Sequence, residues 1–421
     1  MCIRLLAGRC ILFLLVWQIG SGIRAQDTVY ARSVINELCS PKFAGRGYVD
    51  DGDRKAAAFL CSELQKAGIQ TWNGSYQHHF NISVNTLPVA RVKTDGRLLT
   101  PGVDFLADPS CGSVKQSLLL RVWSWSDTLS YPSGPWGHSK ATPAIPDEML
   151  RHRVWGKRLS ALLQLHPQVW VRLVNKLPAW GVALKPEEGC ELIIRQDKLP
   201  HSATLRLNIK NRFQLVRNCS NVLGFIPGTR NSDTLMVLTA HYDHLGKMGK
   251  AIFPGANDNA TGVAMVLDMA RDLAKKPLPY SIVVVFFAAE EAGLLGSAAV
   301  IRDRLLPLER IRFLLNMDLM GAGETGMTVV NASIFPKEFS LMDSLNIEHQ
   351  FLPAINKRGK AANSDHYFFT EAGVPSFFGY LSGPRPAYHA TDDIPETLTL
   401  YGYTGTFLLF RHFLEHLSNN P

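Results

Sequence analysis

The stretch "VVVFFAAEEAGLLGS", Val283 to Ser297, decides the architecture. An apolar run suited to a strand buried on both faces leads straight into two adjacent carboxylates, Glu290 and Glu291, and then into small residues. Such strands lie inside sheets that helices cover on both sides. A buried ionised carboxylate costs several kcal/mol unless a positive group meets it. The stretch therefore raises a second question, which is the nature of that positive partner.

The same texture extends from Cys219 to the C-terminus. "TLMVLTA" (Thr234–Ala240), "SIVVVFFAA" (Ser281–Ala289), "IRFLLNMD" (Ile311–Asp318), "TVVN" (Thr328–Asn331) and "PSFFGY" (Pro375–Tyr380) read as strands. Helical spacing fills the gaps in "TGVAMVLDMARDLAKK" (Thr261–Lys276), from about Ala292, over Ser364–Glu371 and around Leu400–Leu417. The alternation predicts an α/β fold with a mostly parallel central sheet and helices on both faces. Earlier in the chain, Ala31–Gly68 reads as two helices around a Gly-rich turn. From about Asn85 to Arg217, short alternating segments separated by Pro, Gly and Ser predict a β-rich module. The expected division is a signal peptide over 1–25, an N-terminal helical part over 26–85, a β-rich insert over 86–217 and a catalytic domain over 218–421.

Composition narrows the function classes. The 421 residues are 46% hydrophobic and 19% charged, ordinary for a globular chain with a large core. The N-terminus carries Arg4 and Arg9, the apolar run "CILFLLVWQIG" (Cys10–Gly20) and a small residue at Ala25, the pattern of an export signal too short to span a bilayer. No other apolar stretch reaches membrane length, so an exported protein is expected, periplasmic or extracellular. Losing Arg4, Arg9 and Arg24 takes the formal charge from +8 to +5, and the remaining cations are scattered. That excludes the basic stripe of a nucleic-acid binder. Of seven cysteines, the five beyond the signal are widely spaced and form no CxxC pair. Thiolate metal sites are therefore not expected, and one or two disulfides are compatible with export.

The polar residues that follow the strands suggest the chemistry. His241, Asp243 and His244 follow the first strand, Glu290 and Glu291 the second, and Asp318 the third. Asp258 precedes the helix at Thr261, and Tyr388, His389 and Asp393 lie near the C-terminus. In open α/β sheets, ligands bind beyond the carboxyl ends of the strands. Taken singly, His241 fits a hydrogen-bonded structural histidine, Asp258 a helix cap, Glu290 and Glu291 a helix start, and Asp318 a turn. Together at one sheet edge they favour metal. Imidazole with carboxylate and no thiolate suits zinc, or less specifically cobalt or manganese. A two-metal site needs a bridging carboxylate, plus a further carboxylate to take the proton of the attacking water. Adjacent glutamates at a strand-to-helix junction point in different directions, so one can ligate while its neighbour faces the substrate.

The motifs "AHYDHLG" (Ala240–Gly246), "GANDNATGVA" (Gly255–Ala264), "FFAAEEAGLLGS" (Phe286–Ser297), "NMDLMG" (Asn316–Gly321), "NSDHYFF" (Asn363–Phe369) and "AYHATDD" (Ala387–Asp393) resemble, in this order, those of metallopeptidase family 28. These are secreted di-zinc aminopeptidases related to glutamate carboxypeptidase, with a zinc-peptidase/phosphorylase-like fold. The β-rich middle resembles more weakly the protease-associated insert of some members. The resemblance implies two zinc ions, one held by His241, Asp258 and His389 and the other by Asp258, Glu291 and Asp318. It implies Glu290 as general base and proton donor, and Tyr388 as a hydrogen-bond donor to the developing oxyanion. It further implies that Asp243 orients His241, that Asp393 supports His389, and that the Asp258–Asn259 peptide is cis.

The implied activity is aminopeptidase action on peptides. The alternatives are a carboxypeptidase or glutaminyl cyclase-like enzyme on the same site, or an inactive receptor-like binding protein. Some family members place an arginine just before "SDH", where this chain has Asn363. His244 is expected to be structural or supporting. "NKRGK" (Asn356–Lys360) is read as a solvated charged loop in preference to a carboxylate-binding one. The sequon at Asn259 lies inside the metal loop and is not expected to carry a glycan.

Overall fold

A computed structural model describes residues 28–125, 142–153, 156–157, 159, 169–199, 202–230, 233–384 and 388–419. The proposed signal segment lies outside the described residues. Among them, no helix is long and apolar enough to cross a membrane, and the five cysteines are free thiols.

Four parallel strands form the centre of the sheet, in the order Ser281–Phe287, Leu235–His241, Ile311–Met317 and Ser376–Ser382. Every residue of the first two is buried, as their unbroken apolar sequence requires. Antiparallel strands flank this centre: Ser202–Ile226 on one side and Gly326–Val330 on the other. Alternate side chains enter different cores. Met236, Leu238 and Ala240 join the helices Thr28–Cys39, Gly52–Lys66, Thr261–Lys275 and Tyr403–Asn419. Leu235 and Val237 pack with Val300 and Phe369, from the helices Leu295–Arg302 and His366–Glu371. The sheet is thus mostly parallel with helices on both faces.

The β-rich middle has its own core, built from residues such as Val171, Leu192, Leu205 and Trp180. It joins the rest of the chain through a long antiparallel ribbon of Gln77–Thr94 and Ser202–Ile226, two strands that continue through positions 85/86 and 217/218 with register shifts between Ile82 and Val84 and between Thr86 and Val89. One end of Ser202–Ile226 pairs with Val114–Val122 in the module, and the other pairs with Ser281–Phe287 in the central sheet. The module's core also takes in Leu245, Met248 and Phe253 from the segment that follows the strand Leu235–His241. Both hydrophobic units therefore reach the loop that leads to Asp258.

Candidate metal centre

Most of the candidate ligands owe their position to a strand end. His241 is the last residue of its strand, and Asp318 comes immediately after Met317. Beyond Phe287 the chain turns at Ala289, which has φ +56°, and presents Glu290 and Glu291 in succession. Asp258 sits in the tight segment Ala256–Ala260 just before the helix Thr261–Lys275, and the Asp258–Asn259 peptide is cis. The helix start comes so close to the neighbouring strand that a Cβ on Gly262 would lie 2.4 Å from the Met317 carbonyl oxygen, which requires glycine there.

The side chains converge on Asp258. His241 Nε2 lies 3.3 Å from Asp258 Oδ1 and 3.3 Å from Asp318 Oδ2. His389 Nε2 lies 3.1 Å from Asp258 Oδ2 and 3.1 Å from Glu291 Oε2. The carboxylate of Asp258 thus stands between two imidazoles, each with a second carboxylate of its own. This pairing differs from the one the resemblance implies: Asp318 goes with His241, and Glu291 goes with His389. Glu290 belongs to the His241 side, where His241, Glu290 and Asp318 each turn a ligand atom to within 4.8 Å of the others.

The electrostatics call for a cation. Among the described residues, no lysine or arginine pairs with Asp258, Glu290, Glu291 or Asp318; the ion-pair partners of Asp258, Glu291 and Asp318 are imidazoles. Burial pushes the Glu290 carboxyl well above the usual range, and the nearby Glu291, Asp365 and Asp318 add to this. Burial acts the same way on Asp258, but hydrogen bonds from His241 and His389 outweigh it and hold Asp258 well below the usual range. Burial disfavours a charged His389, yet Asp258 and Glu291 raise it to about 11. Asp318 Oδ1 is buried with no hydrogen-bond partner. Oxygen and imidazole donors arranged as two sets around a shared carboxylate fit a pair of divalent cations of the zinc type.

A supporting layer holds these ligands. The Asp243 carboxylate accepts the backbone N–H groups of Glu290 (3.1 Å) and Glu291 (3.4 Å), while its carbonyl oxygen lies 3.1 Å from His241 Nδ1. Asp393 accepts the N–H groups of Asn257 (2.8 Å) and Asp258 (3.1 Å), so it grips the Asp258 loop instead of His389. The ring contact of His389 comes from the β-rich module: its Nδ1 lies 2.9 Å from the carbonyl oxygen of Trp180. His244 Nδ1 lies 2.7 Å from Glu291 Oε1, a supporting position. Tyr388 is exposed, with its ring stacked 3.9 Å from that of His389, and it lines the pocket with His241, Asp258, Glu290 and Asp318. Asn259 is fully buried and bonded to the Met317 carbonyl, which leaves no room for a glycan.

Three supporting residues escaped the sequence reading. Arg46 is completely buried, and its guanidinium donates to the carbonyl oxygens of Tyr242, Leu38, Pro254, Gly255 and Asp258. Ser364 donates to Asp318 Oδ2 (3.1 Å) and closes a buried chain that runs through Asn316 to Thr239. Trp180 is the third. Ser364 lies inside the quoted "NSDHYFF", and Arg46 inside "AGRGYVDDGDRKAAAFL" (Ala44–Leu60), which resembles the opening helices of the same family; Trp180 had no signal.

Comparison with known proteins places these features in context. A model of peptidase family M28 matches residues 221–411. Aminopeptidase YwaD of Bacillus subtilis is 30% identical over 405 residues, covering 89% of this chain and 81% of that one. A probable leucine aminopeptidase of Arthroderma otae is 32% identical over 189 residues, covering 42% of this chain and 52% of that one. The chain thus matches about half the length of that relative and of several other leucine aminopeptidases. The solved structure of BSAP, a zinc aminopeptidase from Bacillus subtilis, superposes with a TM-score of 0.70 at 20% identity, covering 94% of this chain and 96% of that one.

Proposed function

This chain is a zinc metallopeptidase of peptidase family M28, and from that premise we propose that it is an exported aminopeptidase, periplasmic or extracellular, with two zinc ions. The observation that supports the two-ion reading best is Asp258, with one carboxylate oxygen beside His241 and the other beside His389. His241, Asp258 and Asp318 would hold one ion; His389, Asp258 and Glu291 would hold the other. When bound, such a pair supplies Lewis acidity and lowers the pKa of an attacking water.

The remaining work belongs to the chain. Glu290, which lies with His241 and Asp318 beside the attacking water's place, takes the proton from the water and returns it to the leaving amine. Tyr388 donates a hydrogen bond to the oxygen that gains charge in the transition state. Asp243 fixes both glutamates through their main-chain N–H groups and so sets the angle between the ligating and the proton-carrying side chain.

The test is a mass-spectrometric time course on one peptide, in free and N-acetylated form, with zinc-loaded protein and its Glu290→Gln variant. Stepwise loss from the free amino end, no cleavage of the acetylated form, and a loss of most turnover in Glu290→Gln are expected. Trimming of both forms from the carboxyl end would replace the aminopeptidase reading with a carboxypeptidase one. A Glu290→Gln variant of near wild-type rate would remove Glu290 from the mechanism.

A further inference from the structure

The segment Asn356–Lys360 brings three cations to the edge of the sheet, and two of them have partners. The Lys357 ammonium lies 4.9 Å from the centre of the Phe339 ring, and Lys360 pairs with Glu371. Arg358 is different. Its main-chain N–H donates to the Val329 carbonyl oxygen at 2.9 Å, which fixes it beside the strand Gly326–Val330. Its guanidinium donates to the Tyr380 hydroxyl at 3.3 Å and, among the described residues, has no carboxylate within ion-pair distance. Arg358 also lines the same pocket of about 250 Å³ as His241, Asp258, Glu290 and Asp318, together with Asn363, Phe378 and Tyr380.

We propose that Arg358 is a carboxylate anchor of this pocket, and that the enzyme prefers substrates carrying a carboxylate close to the bond it cuts. The inference rests on the exopeptidase reading above and names the substrate class of that site. The planar guanidinium fork matches a carboxylate in two parallel hydrogen bonds, and Tyr380 orients it. Phe378 and Tyr380 provide an apolar wall for the adjoining carbon atoms. Among the described residues, no other lysine or arginine lines this pocket. The carboxylate has two possible sources, the side chain of an acidic first residue or the free C-terminus of a dipeptide.

Four peptides with free amino groups separate these sources: Ala-Ala against Ala-Ala-amide, and Glu-Ala-amide against Gln-Ala-amide. Turnover is measured with the zinc-loaded wild type, and binding is measured by calorimetry with the zinc-loaded Glu290→Gln variant. Both are repeated with Arg358→Gln and Arg358→Lys in each background. At least one pair should favour the carboxylate member by about tenfold, the scale of one partly solvated charge pair. That ratio should fall towards one in Arg358→Gln and be partly retained in Arg358→Lys. A preference within the Ala-Ala pair assigns the C-terminal source, and one within the Glu/Gln pair assigns the side-chain source. Ratios near one for both pairs in the wild type would overturn the proposal, as would a preference that survives Arg358→Gln. Binding that favours the carboxylate without any hydrolysis would leave the anchor standing and remove the exopeptidase reading. Hydrolysis without preference would do the reverse.

Discussion

Trp180 and His389, 209 residues apart in the chain, are joined by two hydrogen bonds: the Trp180 N–H donates to the His389 carbonyl at 3.0 Å, and the His389 ring nitrogen donates to the Trp180 carbonyl at 2.9 Å. The second bond fixes which nitrogen of the imidazole is left to face Asp258 and Glu291. The indole keeps the main chain in place by stacking on Phe253 at 4.6 Å and by donating to the Ala107 carbonyl at 2.8 Å. Trp180→Ala should therefore weaken zinc binding by about tenfold or more, read by competition with a chromogenic chelator. A variant that loses thermal stability but keeps wild-type zinc affinity would show that the indole only fills space.

Arg46 should matter for the same centre through a different route. Five carbonyl oxygens share one buried guanidinium, and a neutral replacement leaves them without a donor. Arg46→Met is expected to cost about 3 kcal/mol or more in urea unfolding. Arg46→Lys should recover only part of this, because an ammonium has three donors and no fork. Equal stability of Arg46→Lys and wild type would contradict the need for the fork.

Asp243 offers a milder lesion. Both carboxylate oxygens of Asp243 are needed, one for each glutamate amide, and an asparagine would present its own NH₂ to one of them. Asp243→Asn should lower kcat by about ten- to a hundredfold with a smaller change in KM, as expected for a residue that positions others. Steady-state kinetics at matched zinc content decide the point, and an unchanged kcat would count against it.

Removing metal should destabilise the fold as a whole. The carboxylates around Asp258 come together only in the folded chain, so cations that bind them there stabilise it by about 4 kcal/mol at a thousandfold excess over Kd. Chelation should lower Tm by several degrees, and zinc should restore it. The same Tm in zinc-free and zinc-loaded protein, checked by elemental analysis, would rule out that linkage.

Most of the site was legible because its ligands follow strands whose apolar runs are unmistakable. His241, Glu290, Glu291 and Asp318 are placed by the end of a buried strand, and Asp258 by the start of a helix. The pairing of ligands was not legible, because it depends on side-chain directions at turns such as the one at Ala289. Arg46 lies in the Gly-rich turn between the two expected helices, and nothing in sequence marks a guanidinium that serves carbonyl oxygens. Trp180 was hidden for a related reason: it acts on His389 through its main chain, and any residue type has a carbonyl. Arg358 read as one cation among three in a solvated loop, and only the partners of its two neighbours set it apart.

The continuous ribbon bears on shortening this chain by engineering. Thr94 lies beside Leu205 in the antiparallel register, so a tight turn between them would delete residues 95–204, most of the module, and leave a plain hairpin. The central sheet would lose none of its pairings, and such a miniature protein should still assemble. It would carry His389 with one ring nitrogen no longer anchored, because the carbonyl that holds it lies on the deleted segment. The module is removable as architecture but supplies a contact to the site, so a minimal version would have to bring in a new acceptor for that imidazole from the peptidase side.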